Sequence, residues 1–201
     1  MVHDNHNVNN VENIEIAESV VFPNYPSVPV TSIAASAFAS CLPPSFISIP
    51  SLVKNIGSEA FTVLYTKDEN RKRGVHLIEL KIPAEFASST YFNMSIVSKI
   101  TIISGNKIKD LAFKDAIRLE TVIFENDSSS PITSIGVAAF KDCILLKNVI
   151  FNQIKFLPKF GKGAFANITD STAIYYNSIK DKNPDELLKS VGFSKTRAIR
   201  Q

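Results

Sequence analysis

The chain has 201 residues, 45% of them hydrophobic and 20% charged, with 22 Lys and Arg against 19 Asp and Glu and a net charge of +3. That composition supports one substantial core and excludes a charged or low-complexity polymer. Nine of the charges fall after Asn177 (Lys180, Lys182, Lys189, Lys195, Arg197 and Arg200 against Asp181, Asp185 and Glu186), so the rest of the chain is neutral and lacks the basic stripe that duplex nucleic acid needs.

In chain order, Met1 to Asn10 is polar, with His3, Asp4, His6 and four asparagines, and residues 1–10 are expected to fray. The segment shows no secretory signal, and no apolar run in the chain reaches the length of a membrane span. Val11, Ile14 and Ile16 then form an apolar-x-x-apolar-x-apolar element that recurs in each later unit. Each unit opens on a two-residue marker: Ala37-Phe38, Ala60-Phe61, Tyr91-Phe92, Ala112-Phe113, Ala139-Phe140 and Ala164-Phe165.

Counting from the phenylalanine, small or apolar residues fall at offsets 3, 6, 9 and 11. They are Cys41, Pro44, Ile47 and Ile49 in the first unit, and Ala116, Leu119, Val122 and Phe124 in the fourth. The fifth has Cys143, Leu146, Val149 and Phe151, and the sixth Ile168, Ser171, Ile174 and Tyr176. The second unit fits after an insertion of ten residues between Leu64 and Leu77, and the third (Ser95, Val97, Ile100, Ile102) after deletion of one. Self-similarity of this kind means that each unit buries its apolar face only against its neighbours. Residues 11–177 are therefore one repeat array of a half unit plus six units, followed at 178–201 by a cap helix and a basic tail.

Within a unit, offsets 9 and 11 alternate with outward residues and stop at proline or asparagine, as in Ile49-Pro50, Ile82-Pro83 and Phe151-Asn152, which predicts one short strand per unit. Five residues before the phenylalanine stand Ile33, Ile56, Ile108, Ile135 and Phe160, with Gly57, Gly136 and Gly161 next to three of them. Glycine there serves either a positive φ or a close backbone approach. The roughly ten residues between phenylalanine and strand allow one or two turns of α or 3-10 helix. The expected fold is an α/β repeat solenoid, a right-handed superhelix with a parallel sheet of about six or seven short strands and short helical or 3-10 segments opposite. Cys41 and Cys143 share offset 3 four units apart, roughly 20 Å at the spacing of parallel strands, so they are expected to be reduced, buried thiols.

The unit Ile132-Thr133-Ser134-Ile135-Gly136-Val137-Ala138-Ala139-Phe140-Lys141-Asp142-Cys143, continuing to Leu146-Lys147-Asn148-Val149-Ile150-Phe151, resembles the BspA-like class of leucine-rich repeats, as does Val53-Lys54-Asn55-Ile56-Gly57-Ser58-Glu59-Ala60-Phe61. The resemblance covers roughly residues 30 to 177 and departs at Pro43-Pro44, at Tyr91-Phe92 and at the insertion. It implies a leucine-rich-repeat superhelix, a non-enzymatic role as a protein-interaction or adhesion module, and a cell-surface or secreted location.

Alternation along the strands places offsets 8 and 10 on the open face of the sheet: Phe46 and Ser48, Glu79 and Lys81, Lys99 and Thr101, Thr121 and Ile123, Asn148 and Ile150, Ala173 and Tyr175. Ile123, Ile150 and Tyr175 then form an exposed apolar column. The candidate partner site is Phe46, Glu79, Lys81, Lys99, Ile123, Ile150 and Tyr175, together with Arg71, Lys72 and Arg73 on the projecting 65–76 insertion. The expected partner is a protein or a glycan, with no nucleic acid and no membrane span. The alternative is a structural spacer or self-associating domain of a larger surface protein, with the same column meeting a second copy. Neither a paired acid cluster, a Cys/His ligand set nor a nucleophile motif around His76 occurs, so no enzyme activity, metal or cofactor is expected. Asn93, Asn126 and Asn167 begin glycosylation sequons. Asn183-Pro184-Asp185-Glu186, closed by Gly192, predicts a helix over 184–191 that covers the open end of the last unit.

Overall fold

A computed structural model of the chain describes residues 13–38, 44–61, 78–88, 91–92, 94–125, 131–152, 156–176, 186, 188–189, 193 and 199–200. In chain order the strands are β1 (Asn13–Glu15), β2 (Ser19–Val20), β3 (Val28–Pro29), β4 (Ser32–Ile33), β5 (Phe46–Ser48), β6 (Asn55–Ile56), β7 (Ile78–Ile82) and β8 (Val97–Ile102). They continue as β9 (Lys107–Ile108), β10 (Thr121–Glu125), β11 (Ser134–Ile135), β12 (Asn148–Asn152), β13 (Lys159–Phe160), β14 (Ala173–Tyr176) and β15 (Ile199–Arg200).

The main sheet runs β1-β5-β7-β8-β10-β12-β14-β15, parallel throughout. Its order follows the chain, as a coil of successive units requires. The eighth strand, β15, comes from the region the sequence reads as a basic tail. Five of the six phenylalanines are also preceded by a feature that sequence periodicity misses, because it is only two residues long. Ile33, Ile56, Ile108, Ile135 and Phe160, five positions upstream, form a second set of parallel rungs, β4-β6 and β9-β11-β13. Opposite the main sheet the chain is mostly hydrogen-bonded turn, with 3-10 helix at Ala84–Phe86 and Met94–Ile96 in the third unit.

Identical positions of successive units fall on top of one another, so aromatic rings pack as ladders inside. Phe38, Phe61 and Phe92 stack at centroid distances of 5.0 and 5.2 Å. Phe113, Phe140 and Phe165 stack at 4.9 and 4.9 Å, and Phe193 continues them at 4.6 Å. Phe124 and Phe151, at offset 11, stack at 4.7 Å. The division between the two phenylalanine ladders coincides with the one-residue deletion, where β7 and β8 shift register between Ile78 and Glu79. Two expected core positions are corrected. Ser95 is exposed, because the short 3-10 turn of the third unit brings Met94 and Ile96 inward on either side of it. Ser171 is exposed, and Thr172 turns inward in its place, its hydroxyl donating to the Leu146 and Thr169 carbonyls at 2.6 and 2.8 Å. A buried hydroxyl is tolerated only with such partners.

The turns before and after each phenylalanine are stitched from one unit to the next by backbone bonds. Two residues before it, Ser36, Glu59, Leu111, Ala138 and Gly163 all have φ between 51° and 62°. Two residues after it, Asp115, Asp142 and Asn167 lie in the same region, at φ between 59° and 63°. For L-residues that conformation costs about 1–2 kcal/mol each. It is offset because the turned N–H groups reach the next unit: Leu111 donates to Val137 at 3.0 Å, Phe113 to Ala139 at 2.8 Å and Asp115 to Lys141 at 3.0 Å. The next unit repeats the pattern, with Ala138 to Lys162, Phe140 to Ala164 and Asp142 to Ala166.

Of the two roles open to the recurrent glycine, close approach is the one it plays. A Cβ on Gly136 would lie 2.5 Å from Asp110 N and 2.6 Å from Lys109 C, and equivalent clashes await Gly57 and Gly161. At Asn167 the side chain donates to Asp142 Oδ1 at 2.7 Å. Asn93, Asn126, Cys41, the N-terminal ten residues, the 65–76 insertion and most of the 184–191 helix lie outside the described residues. Leu188 and Phe193 are buried, and the Phe193 ring lies 4.6 Å from that of Phe165. Between β1 and β4 the strands β2 and β3 form an antiparallel hairpin that the sequence reading leaves unassigned.

Candidate functional site

The main sheet has one face turned inward and one open. Ile47, Leu80, Ile100, Val122, Val149 and Ile174 are buried at 0–1% exposure, while their chain neighbours alternate outward. Register pairs the outward residues into two rows that cross the strands. The first is Asn13, Phe46, Glu79, Lys99, Thr121, Asn148 and Ala173. The second is Glu15, Ser48, Lys81, Thr101, Ile123, Ile150 and Tyr175, with Ile199 next in register.

The two halves of this face differ in chemistry. Over β7 and β8, Lys99 Nζ meets Glu79 Oε2 at 3.0 Å, and Lys81 Nζ meets Glu125 Oε2 at 3.2 Å. The second pair spans β7 to β10, so the Lys81 stem passes over β8, where Thr101 stands between Lys81 and Ile123. That roof corrects the expectation for Thr101, which faces the open side but is only 7% exposed. All four ionic side chains are 40–47% exposed, so solvent screens them and each pair contributes at most about 1 kcal/mol. Over β10 and β12, Asn148 Nδ2 donates to Thr121 Oγ1 at 3.3 Å, and beyond them the surface is Ile123, Ile150, Ala173 and Tyr175.

Ile123, Ile150 and Tyr175 are direct register partners on adjacent strands, as the sequence predicts, although half-buried by their neighbours and not fully exposed. Glu79, Lys81 and Lys99 are brought together beside them. Phe46 is not: β7 and β8 separate it from the column, and its neighbours in the row are Asn13 and Glu79. Arg71, Lys72 and Arg73 lie outside the described residues. Glu125 is a member that sequence reading missed, because the outward positions were counted only to offset 10; continuing the alternation one step reaches it. Cys143 is no part of the surface. Its Sγ donates to the Phe113 carbonyl at 3.2 Å, and burial pushes the thiol up to about 12. Among the described residues no group of three His, Cys, Asp or Glu is placed to hold a metal, and no helix is long and apolar enough to cross a membrane.

A family model of the BspA type leucine-rich repeat region, in 6 copies, matches residues 6–130 and 84–186. No curated protein matches the chain. A leucine rich cell surface protein from Faecalibacterium prausnitzii A2-165 is similar in structure over 92% of each chain, at 13% identity and a TM-score of 0.25, too loose a superposition to carry any argument.

Proposed function

We propose, from the premise that the chain belongs to the BspA-type leucine-rich repeat family, that it is a non-enzymatic interaction or adhesion module whose open sheet face binds a protein or glycan. The observation that supports this reading is the register-aligned row Ile123–Ile150–Tyr175 beside the ion-paired Glu79, Lys81, Lys99 and Glu125. An apolar centre with a polar margin is the anatomy of a binding patch, in which aromatic and aliphatic anchors supply affinity and charges supply orientation. Extended sheet faces are also what solenoids use for recognition. A protein ligand would lay apolar side chains along the column; a glycan would stack a sugar ring on Tyr175. A cell-surface or secreted setting suits both.

The test is a screen of displayed proteins and arrayed glycans, with each binder re-measured on Ile150→Asp, Tyr175→Ala and Ile144→Asp. Ile144 is 54% exposed in a turn away from the sheet. The expected result is at least a tenfold loss of affinity in the first two variants and none in the third, as for residues central to an interface. Equal affinity in all three variants would refute the reading. A second copy bound through Ile150 would convert it to self-association.

A further inference from the structure

The hairpin β2–β3 stands away from the solenoid core. All described residues from 17 to 29 are exposed, among them Val20 at 43%, Val21 at 74%, Phe22 at 51%, Tyr25 at 71% and Val28 at 48%. It is nevertheless well formed. Tyr25 N–H donates to the Phe22 carbonyl at 3.2 Å, and Pro23 followed by Asn24 at φ 67° makes the turn type II. Val30, packed against the core, donates to the Glu18 carbonyl at 2.9 Å and closes the base. A lone two-stranded ribbon is marginal in water, and one that displays five large apolar side chains calls for a further strand.

The backbone says which edge can accept it. Antiparallel positions alternate between bonded and non-bonded pairs. With Glu18 bonded to Val30, and Ser19 opposite Pro29 and Val20 opposite Val28, Val20 bonds inward. Ser19 and Val21 therefore turn their N–H and C=O groups out along the free edge of β2. The outer edge of β3 carries Pro29 at the matching position, which has no N–H to offer. Among the described residues one edge is closed and the other open.

We propose that β2 pairs antiparallel with β2 of a second copy about a twofold axis at Val20, giving a four-stranded β3-β2-β2-β3 sheet. Ser19 of each copy would exchange two backbone hydrogen bonds with Val21 of the other. Antiparallel pairing of identical strands is self-complementary by symmetry. This strand does not repel its copy, because no charged residue occurs from Ser19 to Val53. The nearest charges, the two Glu18 carboxylates, sit four strand positions apart, about 13 Å, beyond the screening length of about 8 Å. The proline-blocked edge stops association at two copies. This surface is separate from the open face of the main sheet.

Sedimentation equilibrium and light scattering on the whole chain, from about 5 to 500 µM because so small an interface is weak, are expected to show a monomer–dimer equilibrium. Val21→Pro, which removes an edge donor, and Val20→Lys, which sets like charges face to face, should each raise the dimer dissociation constant at least tenfold. Both should leave the circular dichroism and the urea midpoint unchanged, and Ile150→Asp should still dimerise. Val20→Cys should form a disulfide-linked dimer on oxidation, above the level of the natural chain with Cys41 and Cys143. That cross-link decides the matter if the other variants fail to fold. A monomer at every concentration, a dimer that survives both β2 substitutions, or one abolished by Ile150→Asp would each overturn the proposal.

Discussion

Replacing Gly136 by alanine tests how the units are held at contact distance. The new Cβ would meet Asp110 N and Asp110 Oδ1 at 2.5 Å and Lys109 C at 2.6 Å, two of the three being backbone atoms that cannot rotate away. Restoring an ordinary 3.4 Å contact parts the two units by about 0.9 Å. The bonds crossing this seam nearest the glycine are Gly136 N–H to Ile108 O at 2.9 Å, Val137 N–H to Asp110 Oδ1 at 2.9 Å and Leu111 N–H to Val137 O at 3.0 Å. Stretched by that amount they leave hydrogen-bonding range. Three bonds at about 1 kcal/mol each give a loss of about 3 kcal/mol, the upper end of what overpacking costs.

Gly163→Ala is the control. Its φ is +62°, but the nearest atom to an added Cβ is Ala166 Cβ at 3.5 Å, so only the backbone term of about 1–2 kcal/mol applies. Urea unfolding followed by far-UV circular dichroism and by tyrosine fluorescence, in a chain with 5 Tyr and no Trp, gives both values. Gly136→Ala costing no more than Gly163→Ala would refute the close-approach account of the repeat glycine.

Cys143 should resist a water-soluble thiol reagent at neutral pH in the folded chain and react once urea unfolds it, because its thiol is held near 12 and buried; fast labelling of Cys143 in the native state, located by mass spectrometry, would contradict this. The raised value has a defined sign in stability. Folding favours the protonated thiol, so its contribution is complete below the unfolded value near 9 and is lost as pH climbs from there toward 12; urea midpoints should therefore fall above pH 9 in the natural chain and fall less in Cys143→Ala. For the open face, a double-mutant cycle on Lys81 and Glu125 should return a coupling of about 0.2–1 kcal/mol that shrinks in high salt. Lys81→Ala should also free the Thr101 amide to exchange faster, and no change there would remove the roof assigned to Lys81.

Much of the interior was legible because its cause is periodic. Isoleucine at offset 9 and phenylalanine at the head of each unit recur since every turn of the coil offers the same slot, and Ile47, Phe113, Phe140 and Val149 occupy it with no exposure. The left-handed position two residues before the phenylalanine was illegible for the opposite reason. Ser36, Glu59, Leu111, Ala138 and Gly163 share a conformation that serves bonds to the next unit at Ser36, Leu111 and Ala138, and no residue preference records it. The rungs β4, β6, β9, β11 and β13 are too short for alternation to register. β15 was hidden because its partner is chosen by the coil and its own sequence is basic. In the candidate site, the Ile123–Ile150–Tyr175 alignment followed from counting, whereas the reach of Lys81 across β8 depends on a side-chain path that no linear pattern encodes. The hairpin had a usable signal in Pro23-Asn24 between Val20-Val21-Phe22 and Val28, a proline-then-asparagine turn flanked by strand formers.

The bonds made by the left-handed turns around each phenylalanine run one way, from the N–H groups of a unit to the carbonyls of its successor, while the short rungs before them return bonds in the opposite sense, as Gly136 N–H does to Ile108 O. The array thus has a grammar with a head and a tail. A whole unit spliced between any two others finds acceptors ahead and donors behind, so evolution can lengthen or shorten such a protein in full steps without rewriting its joints. A slip of one residue inside a stitched turn instead sets carbonyl against carbonyl.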